Sequence, residues 1–160
     1  MPSQAKMDEI RRFIDRAVKE HGWYVQSVLP GPQGDPSFSY TIGMTETFGH
    51  PELLMIGFPP DLMHQLLNGV GKLDRAGERF GEWDQSDKVV EGFPVYFRAV
   101  PLPQARKWAR GASERYRPRS FGLLQVFLPD RNGKFPWDEG CDPTYLRLQG
   151  KLLQHMKARH

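Results

Sequence analysis

The stretch SFSYTIGMTETFGHPELLMIGF, residues 37–58, carries the strongest fold signal in the chain. Over residues 38–44 large side chains alternate with small ones, and this period of two predicts a β-strand with one buried face. Residues 53–58 are almost all apolar, which is typical of a strand buried on both faces. The polar connection between them, residues 45–52, is short, so we expect the two strands to pair antiparallel.

The remaining chain shows both helical and strand periodicity. Apolar residues at helical spacing predict helices over residues 7–20, 59–77, 104–116 and 144–157. Alternating or continuous apolar runs predict further strands over residues 23–29, 88–90, 93–100 and 121–128. We expect a core of Leu54, Ile56, Leu66, Leu67, Leu124 and Val126.

Helices are interspersed with about five to six strands, without strict strand–helix alternation. This order favours an α+β fold: a curved, mainly antiparallel sheet or a small barrel, with helices packed outside. Residues 1–160 are the length of one domain, with a core over about 22–153 preceded by the helix at 7–20.

Composition narrows the class of protein. The longest apolar runs are far shorter than the roughly 20 residues of a membrane helix, so we expect no membrane partner. The N-terminal residues lack an apolar leader, and the single cysteine excludes an internal disulfide or a multi-cysteine zinc cage. We therefore predict a cytoplasmic protein. Its net charge of +3 is small, so nucleic-acid binding is not expected beyond weak, salt-sensitive contacts.

A candidate acid–base pair lies at the start of the second strand. His50 and Glu52 are two residues apart, and in extended chain they point to the same side. An imidazole and a carboxylate so placed can act as general acid and base, and we take them as the candidate catalytic residues. The alternative is that both hydrogen-bond the turn and shape the strand. We assign no metal ligand, and the residues specify no particular cofactor.

The end of the first strand offers a candidate ligand-binding surface. Tyr40 and Thr41 supply a phenol and a hydroxyl, and Gly43 permits close approach of a ligand to the backbone. The alternative is a core aromatic at Tyr40 and a β-bulge at Gly43. Asp130 and Trp137, which follow the last strand, are candidates for the rim of the same pocket. The alternative there is a loop packed by its own aromatic residues, with Asp130 capping a turn.

Three ordered motifs carry a resemblance to a known family. They are YTIG at residues 40–43, GHPEL at 49–53 and PDRNGKFPW, of the form PD-x-x-G-x-x-PW, at 129–137. The chain resembles a bacterial family of small domains described as a domain of unknown function, over residues 22–153. The resemblance implies one fold unit and supplies no activity.

Three functional hypotheses follow from the residues. The first is a small-molecule pocket at the strand–turn–strand, with or without acid–base chemistry by His50 and Glu52. The second is a flavin- or nucleotide-cofactor-binding domain similar to a split barrel, by analogy of strand order. The third is a non-catalytic protein-interaction module, which includes a homodimer formed through an exposed strand.

Overall fold

The computed structural model describes residues 2–158, and these contain six α-helices and six β-strands. The helices are α1 (Gln4–His21), α2 (Met44–Phe48), α3 (Pro60–Arg75), α4 (Leu102–Trp108), α5 (Arg110–Tyr116) and α6 (Pro143–Gln149), with a 3₁₀ helix at Gly150–His155. The strands are β1 (Tyr24–Val28), β2 (Phe38–Ile42), β3 (Glu52–Ile56), β4 (Gln85–Val90), β5 (Phe93–Ala99) and β6 (Leu123–Phe127). None of the helices within residues 2–158 is long and apolar enough to cross a membrane.

The six strands form one open sheet in the order β1-β2-β3-β6-β5-β4. β2 pairs antiparallel with β1 and with β3, as the short connection predicts, and β5 pairs antiparallel with β4 and β6. The central pair, β3 and β6, is parallel. The predicted α+β class and mainly antiparallel sheet are confirmed, and the sheet does not close into a barrel.

Apolar side chains cover both faces of this sheet. On one face, Leu53 and Met55 of β3 pack with the apolar stripe of α3. On the other face, Leu54 and Ile56 pack with α4 and α5. The predicted core residues are all buried: Leu54, Ile56, Leu66, Leu67, Leu124 and Val126. Because β3 is covered on both sides, its continuous apolar sequence is explained.

Three segments differ from the periodicity-based prediction. The strand predicted over residues 38–44 is β2 and ends at Ile42. The connection that follows it contains the short helix α2. The helix predicted over residues 104–116 is two helices, because Ala109 leaves helical geometry with φ −94° and ψ 61°. The C-terminal helix changes to 3₁₀ geometry at Gly150. In each case apolar spacing continues across the break, so periodicity alone does not reveal it.

Candidate functional site

The connection between β2 and β3 contains two glycines with left-handed backbone conformation. Gly43 has φ 115° and precedes α2, and Gly49 has φ 66° and ends it. A Cβ atom on Gly43 would lie 2.9 Å from the carbonyl oxygen of Gly22 and 2.9 Å from the Val18 side chain. The close approach that Gly43 permits is therefore to the end of α1.

Glu52 is a fully buried carboxylate surrounded by hydrogen-bond donors. It accepts from the Thr41 hydroxyl at 2.8 Å and from the Tyr116 hydroxyl at 2.7 Å. It also accepts from the backbone N–H groups of residues 43, 44 and 45 at 3.2, 3.1 and 3.0 Å. These three groups begin α2, where the helix dipole favours a negative charge. Glu52 thus joins β3 to the end of β2, to α2 and to α5.

Burial and hydrogen bonding act in opposite directions on Glu52. Burial raises the pKa of its carboxyl group, and the bonds from Tyr116, Thr45, Thr41 and Met44 act against that rise. An ionised carboxylate only accepts hydrogen bonds, and all five groups around it donate. The surroundings are therefore built for the carboxylate form, with both oxygens already occupied.

His50 is also buried and both of its ring nitrogens have partners. Its Nε2 accepts from the backbone N–H of Phe80 at 3.1 Å, so the neutral ring carries its proton on Nδ1. Nδ1 lies 2.7 Å from the Pro51 carbonyl oxygen and 3.1 Å from Asp74 Oδ2. Burial lowers the pKa of His50; the bond to Pro51 opposes this effect, and the charge of Arg79 adds to it. These contacts tie the start of β3 to the loop after α3.

Asp74 is a partner of His50 that we did not predict. Its side chain is buried, and within residues 2–158 neither carboxylate oxygen has a hydrogen bond of good geometry. Burial raises the pKa of Asp74 to about 7; Arg79 acts against the rise, and Glu52 adds to it. The signal was present in the sequence, because Asp74 falls four residues after Val70 on the apolar face of α3.

The other predicted residues lie in separate places. Tyr40 packs in the cluster under α4 and α5, and its hydroxyl accepts from the backbone N–H of Gly111 at 2.9 Å. Thr41 is brought to Glu52, whereas Tyr40 is not brought to His50. Neither Tyr40 nor His50 lines any of five cavities found among residues 2–158, so these two residues do not share any of those five.

The Asp130 carboxylate is hydrogen-bonded to the backbone of the loop after β6. It accepts from the backbone N–H groups of Asp142, Lys134 and Asn132 at 2.8, 2.9 and 2.9 Å. Those N–H groups hold its pKa below the ordinary value for an aspartate. The contacts match the alternative interpretation, in which Asp130 caps a turn, and the residue lines a small cavity apart from Trp137.

Trp137 is the predicted residue that lines a sizeable cavity. It stacks on Phe135 with ring centroids 5.2 Å apart and meets Trp83 and Tyr96 edge-on at 5.2 and 5.3 Å. These rings line an open cleft of about 760 Å³, to which β4 contributes Gln85 and β5 contributes Pro94, Tyr96 and Arg98. We call the cleft lined by Trp83, Tyr96, Phe135, Trp137 and Arg98 the aromatic cleft. Residues 153 and 156–158 also line it.

Arg98 supplies the cleft with a buried positive charge. Its side chain projects from β5 on the same face as Tyr96, and its residue exposure is 3%. The guanidinium lies 3.7 Å from the ring centroid of Trp83, donates to Glu82 at 2.6 Å and donates to the carbonyl oxygen of Lys157 at 2.7 Å. The sequence signal for this site is an arginine inside an otherwise apolar strand, since arginine is rarely buried without a partner.

Trp83 has a strained backbone at the edge of the same cleft. Residues 81–84 form a turn in which the Asp84 N–H donates to the Gly81 carbonyl at 3.1 Å. Trp83 is the third residue of this turn and has φ 67°, which glycine normally adopts. Such strain persists where the surrounding structure over-determines it, and it clusters at binding sites.

Fold and cleft together define a domain class: an α+β domain on an open six-stranded sheet, with an aromatic cleft on one face. The chain belongs to the family described as domain of unknown function (DUF4262), whose sequence model matches residues 17–142. That match spans all six strands and the four aromatic residues of the cleft. No curated protein and no solved structure matches the chain.

Proposed function

We propose that this domain binds a small molecule with a planar conjugated ring and an anionic or hydrogen-bond-accepting group, and that the aromatic cleft is the site. The observation that carries the proposal is the combination of an aromatic wall with a buried arginine in one open cavity. The sequence predicted a ligand at the strand–turn–strand of residues 40–52. The site proposed here is a different one, and of the predicted ligand-binding residues it includes Trp137.

The size and lining of the cleft support a ligand of ordinary metabolite size. Its volume of about 760 Å³ falls within the range of about 300–1,000 Å³ that is common for small-molecule sites. Aromatic side chains bind flat rings well, because they lose little conformational entropy and offer large apolar area. Arg98 and Lys157 line the cleft together with one acid, Asp138, and the Arg98 guanidinium is paired with Glu82 through Nε. The guanidinium has five N–H groups, so those left over can donate to an acceptor or anionic group on the ligand.

The contacts of His50 and Glu52 favour a positioning role for both residues. A general base needs an accessible acceptor atom within hydrogen-bonding reach of its substrate. His50 Nε2 is occupied by the Phe80 N–H, both oxygens of Glu52 are occupied, and each side chain is buried. We therefore propose ligand binding without acid–base chemistry at these two residues.

Flavins and nucleotides are the ligand classes that the cleft favours first, because each joins a flat heteroaromatic ring to a phosphate. The test is isothermal titration of the purified protein with flavin mononucleotide and with adenosine monophosphate. Trp83→Gly removes one ring of the wall and suits the left-handed backbone at that position, so it puts the fold at little risk. Loss of a stacking ring costs about 1–3 kcal/mol per base, or about 5- to 150-fold in Kd.

A matched pair of substitutions distinguishes the loss of a cleft residue from the general effect of removing a tryptophan side chain. Trp137→Leu removes a ring of the cleft, whereas Trp108→Leu removes a ring that packs against Phe38 under α4. We expect weaker binding in the first variant and wild-type binding in the second, with thermal unfolding recorded for both. Equal affinity in all variants, or no binding of either probe at millimolar concentration, would refute the proposal.

Three further statements remain predictions from the sequence. A cytoplasmic location rests on the sparing use of cysteine, and a bacterial origin rests on the motif resemblance. A homodimer through an exposed strand would use the outer side of β4, which is the last strand in the sheet order of residues 2–158.

A further inference from the structure

A second groove runs along the outer edge of β1, apart from the aromatic cleft. It has a volume of about 500 Å³ and is bounded by one face of α1 and one face of α3. We call it the edge groove. Its lining residues from α1 are Phe13, Arg16, Ala17, Glu20 and His21; those from α3 are His64, Asn68, Lys72 and Arg75.

The floor of the edge groove is a free strand edge. β1 is the first strand in the sheet order, and its outer side pairs with no strand of residues 2–158. Tyr24 meets Phe13 of α1, whereas Val25 packs in the cluster under α3, so the two helices lie on opposite faces of β1. The groove is lined by residues of α1 and α3, which lie on opposite faces of β1, and by Tyr24 and Val25 of β1 itself. It therefore passes across the outer edge of β1. Edge strands present unpaired N–H and C=O groups to an added strand.

The walls of this groove are positively charged. Arg16 and Lys72 are exposed on opposite walls, and Arg75 lies over the Trp23 ring at 5.0 Å and donates to the His21 carbonyl oxygen. Glu20 is the acidic side chain among the lining residues.

We propose that the edge groove binds an extended peptide segment rich in acidic residues, which adds to β1 as a further strand. Backbone hydrogen bonds to the strand edge would hold such a peptide, and alternate side chains would face α1 and α3. Carboxylates on those side chains would meet Arg16 on one wall and Lys72 on the other.

Charge favours this occupant over a second copy of the chain. Two copies joined at β1 by a two-fold axis would present the same patch to each other. Arg16, Lys72 and Arg75 of one copy would then face the same basic groups of the other, and like charges across an interface oppose association. The proposal is independent of the aromatic cleft, because the two cavities share no lining residue.

The test uses a fluorescein-labelled eight-residue peptide of alternating valine and glutamate, titrated by anisotropy against the full chain. The controls are the same peptide with lysine for glutamate and a version with proline at its two central positions. We expect the lysine peptide to bind at least tenfold more weakly, the proline peptide not to bind, and affinity for the glutamate peptide to fall with added salt. Hydrogen exchange should show protection of the β1 amides on binding.

Variants assign the binding to the edge groove. The double reversal Arg16→Glu with Lys72→Glu changes exposed side chains and should weaken glutamate-peptide binding by at least about fivefold. Lys151→Glu, an exposed reversal on the 3₁₀ helix, should leave the affinity unchanged. Affinity that is insensitive to the double reversal, no protection of β1, or a concentration-dependent dimer in native mass measurement with β1 already protected would each overturn the proposal.

Discussion

Replacing Asp74 by asparagine should stabilise the protein at pH 8 and flatten the pH dependence of its stability. Asp74 is buried, 3.1 Å from His50 Nδ1, and its carboxylate oxygens have no hydrogen bond of good geometry within residues 2–158. An asparagine of nearly the same shape keeps the packing and removes the charge. Its amide oxygen can face the Nδ1–H of His50 in place of Oδ2.

The magnitude follows from the pKa of Asp74, which burial raises from 3.8 to about 7. A group whose pKa is higher in the folded state contributes most stability at low pH and loses that contribution as the pH rises through its folded pKa. At 1.36 kcal/mol per pKa unit, full ionisation of Asp74 costs about 4 kcal/mol. The asparagine leaves a buried N–H₂ group without a partner, which costs about 1–3 kcal/mol. The net gain at pH 8 should be about 1–3 kcal/mol.

The assay is urea unfolding of the wild type and Asp74→Asn from pH 5 to pH 8, followed by tryptophan fluorescence. His50 acts in the opposite direction, since its lowered pKa makes acidification below about 6.5 destabilising. The difference between the two proteins isolates Asp74, and it should grow in favour of the variant between pH 5 and 8. A variant less stable than wild type at pH 8 would refute the reasoning, because it would make Asp74 the favourable partner of a charged His50.

Three further substitutions test the structure around the strand–turn–strand. Glu52→Gln should cost about 2–4 kcal/mol in urea unfolding, because its amide N–H₂ group must face donors that now bind a carboxylate; a cost below about 0.5 kcal/mol would contradict that network. His50→Gln should lower the melting temperature through loss of the Phe80 contact and leave ligand binding in the aromatic cleft unchanged, and lost binding at unchanged stability would restore a catalytic or binding role for His50. Leu67→Ala should cost about 2–5 kcal/mol, since Leu67 is fully buried on the inner face of α3; a near-neutral result in the same assay would exclude that packing.

Local chemistry in the sequence is enough to predict the elements and their buried faces. The period-two pattern of residues 38–42 and the apolar run that follows predict β2 and β3, and their short connection predicts the antiparallel pair. The apolar stripe of residues 60–75 predicts α3 and its buried face. The turn residues around Asp130 also predict a local cap. These features depend on neighbours within a few residues, so a single sequence contains the necessary information.

Only the tertiary structure decides which side chains meet. The parallel pairing of β3 with β6 joins segments about 70 residues apart, and no local pattern specifies it. The separate antiparallel pairing of β5 with β6 fixes the register of Tyr96 and Arg98, whose side chains both meet the Trp137 ring. Folding likewise turns Tyr40 towards Gly111 and turns Glu52 towards Tyr116. Tyr40, Thr41 and Glu52 are therefore buried structural residues, whereas Trp137 lies in the cleft. Side chains that are close in sequence alternate between opposite faces of a strand. Contacts between distant segments depend on packing, which the local sequence does not specify.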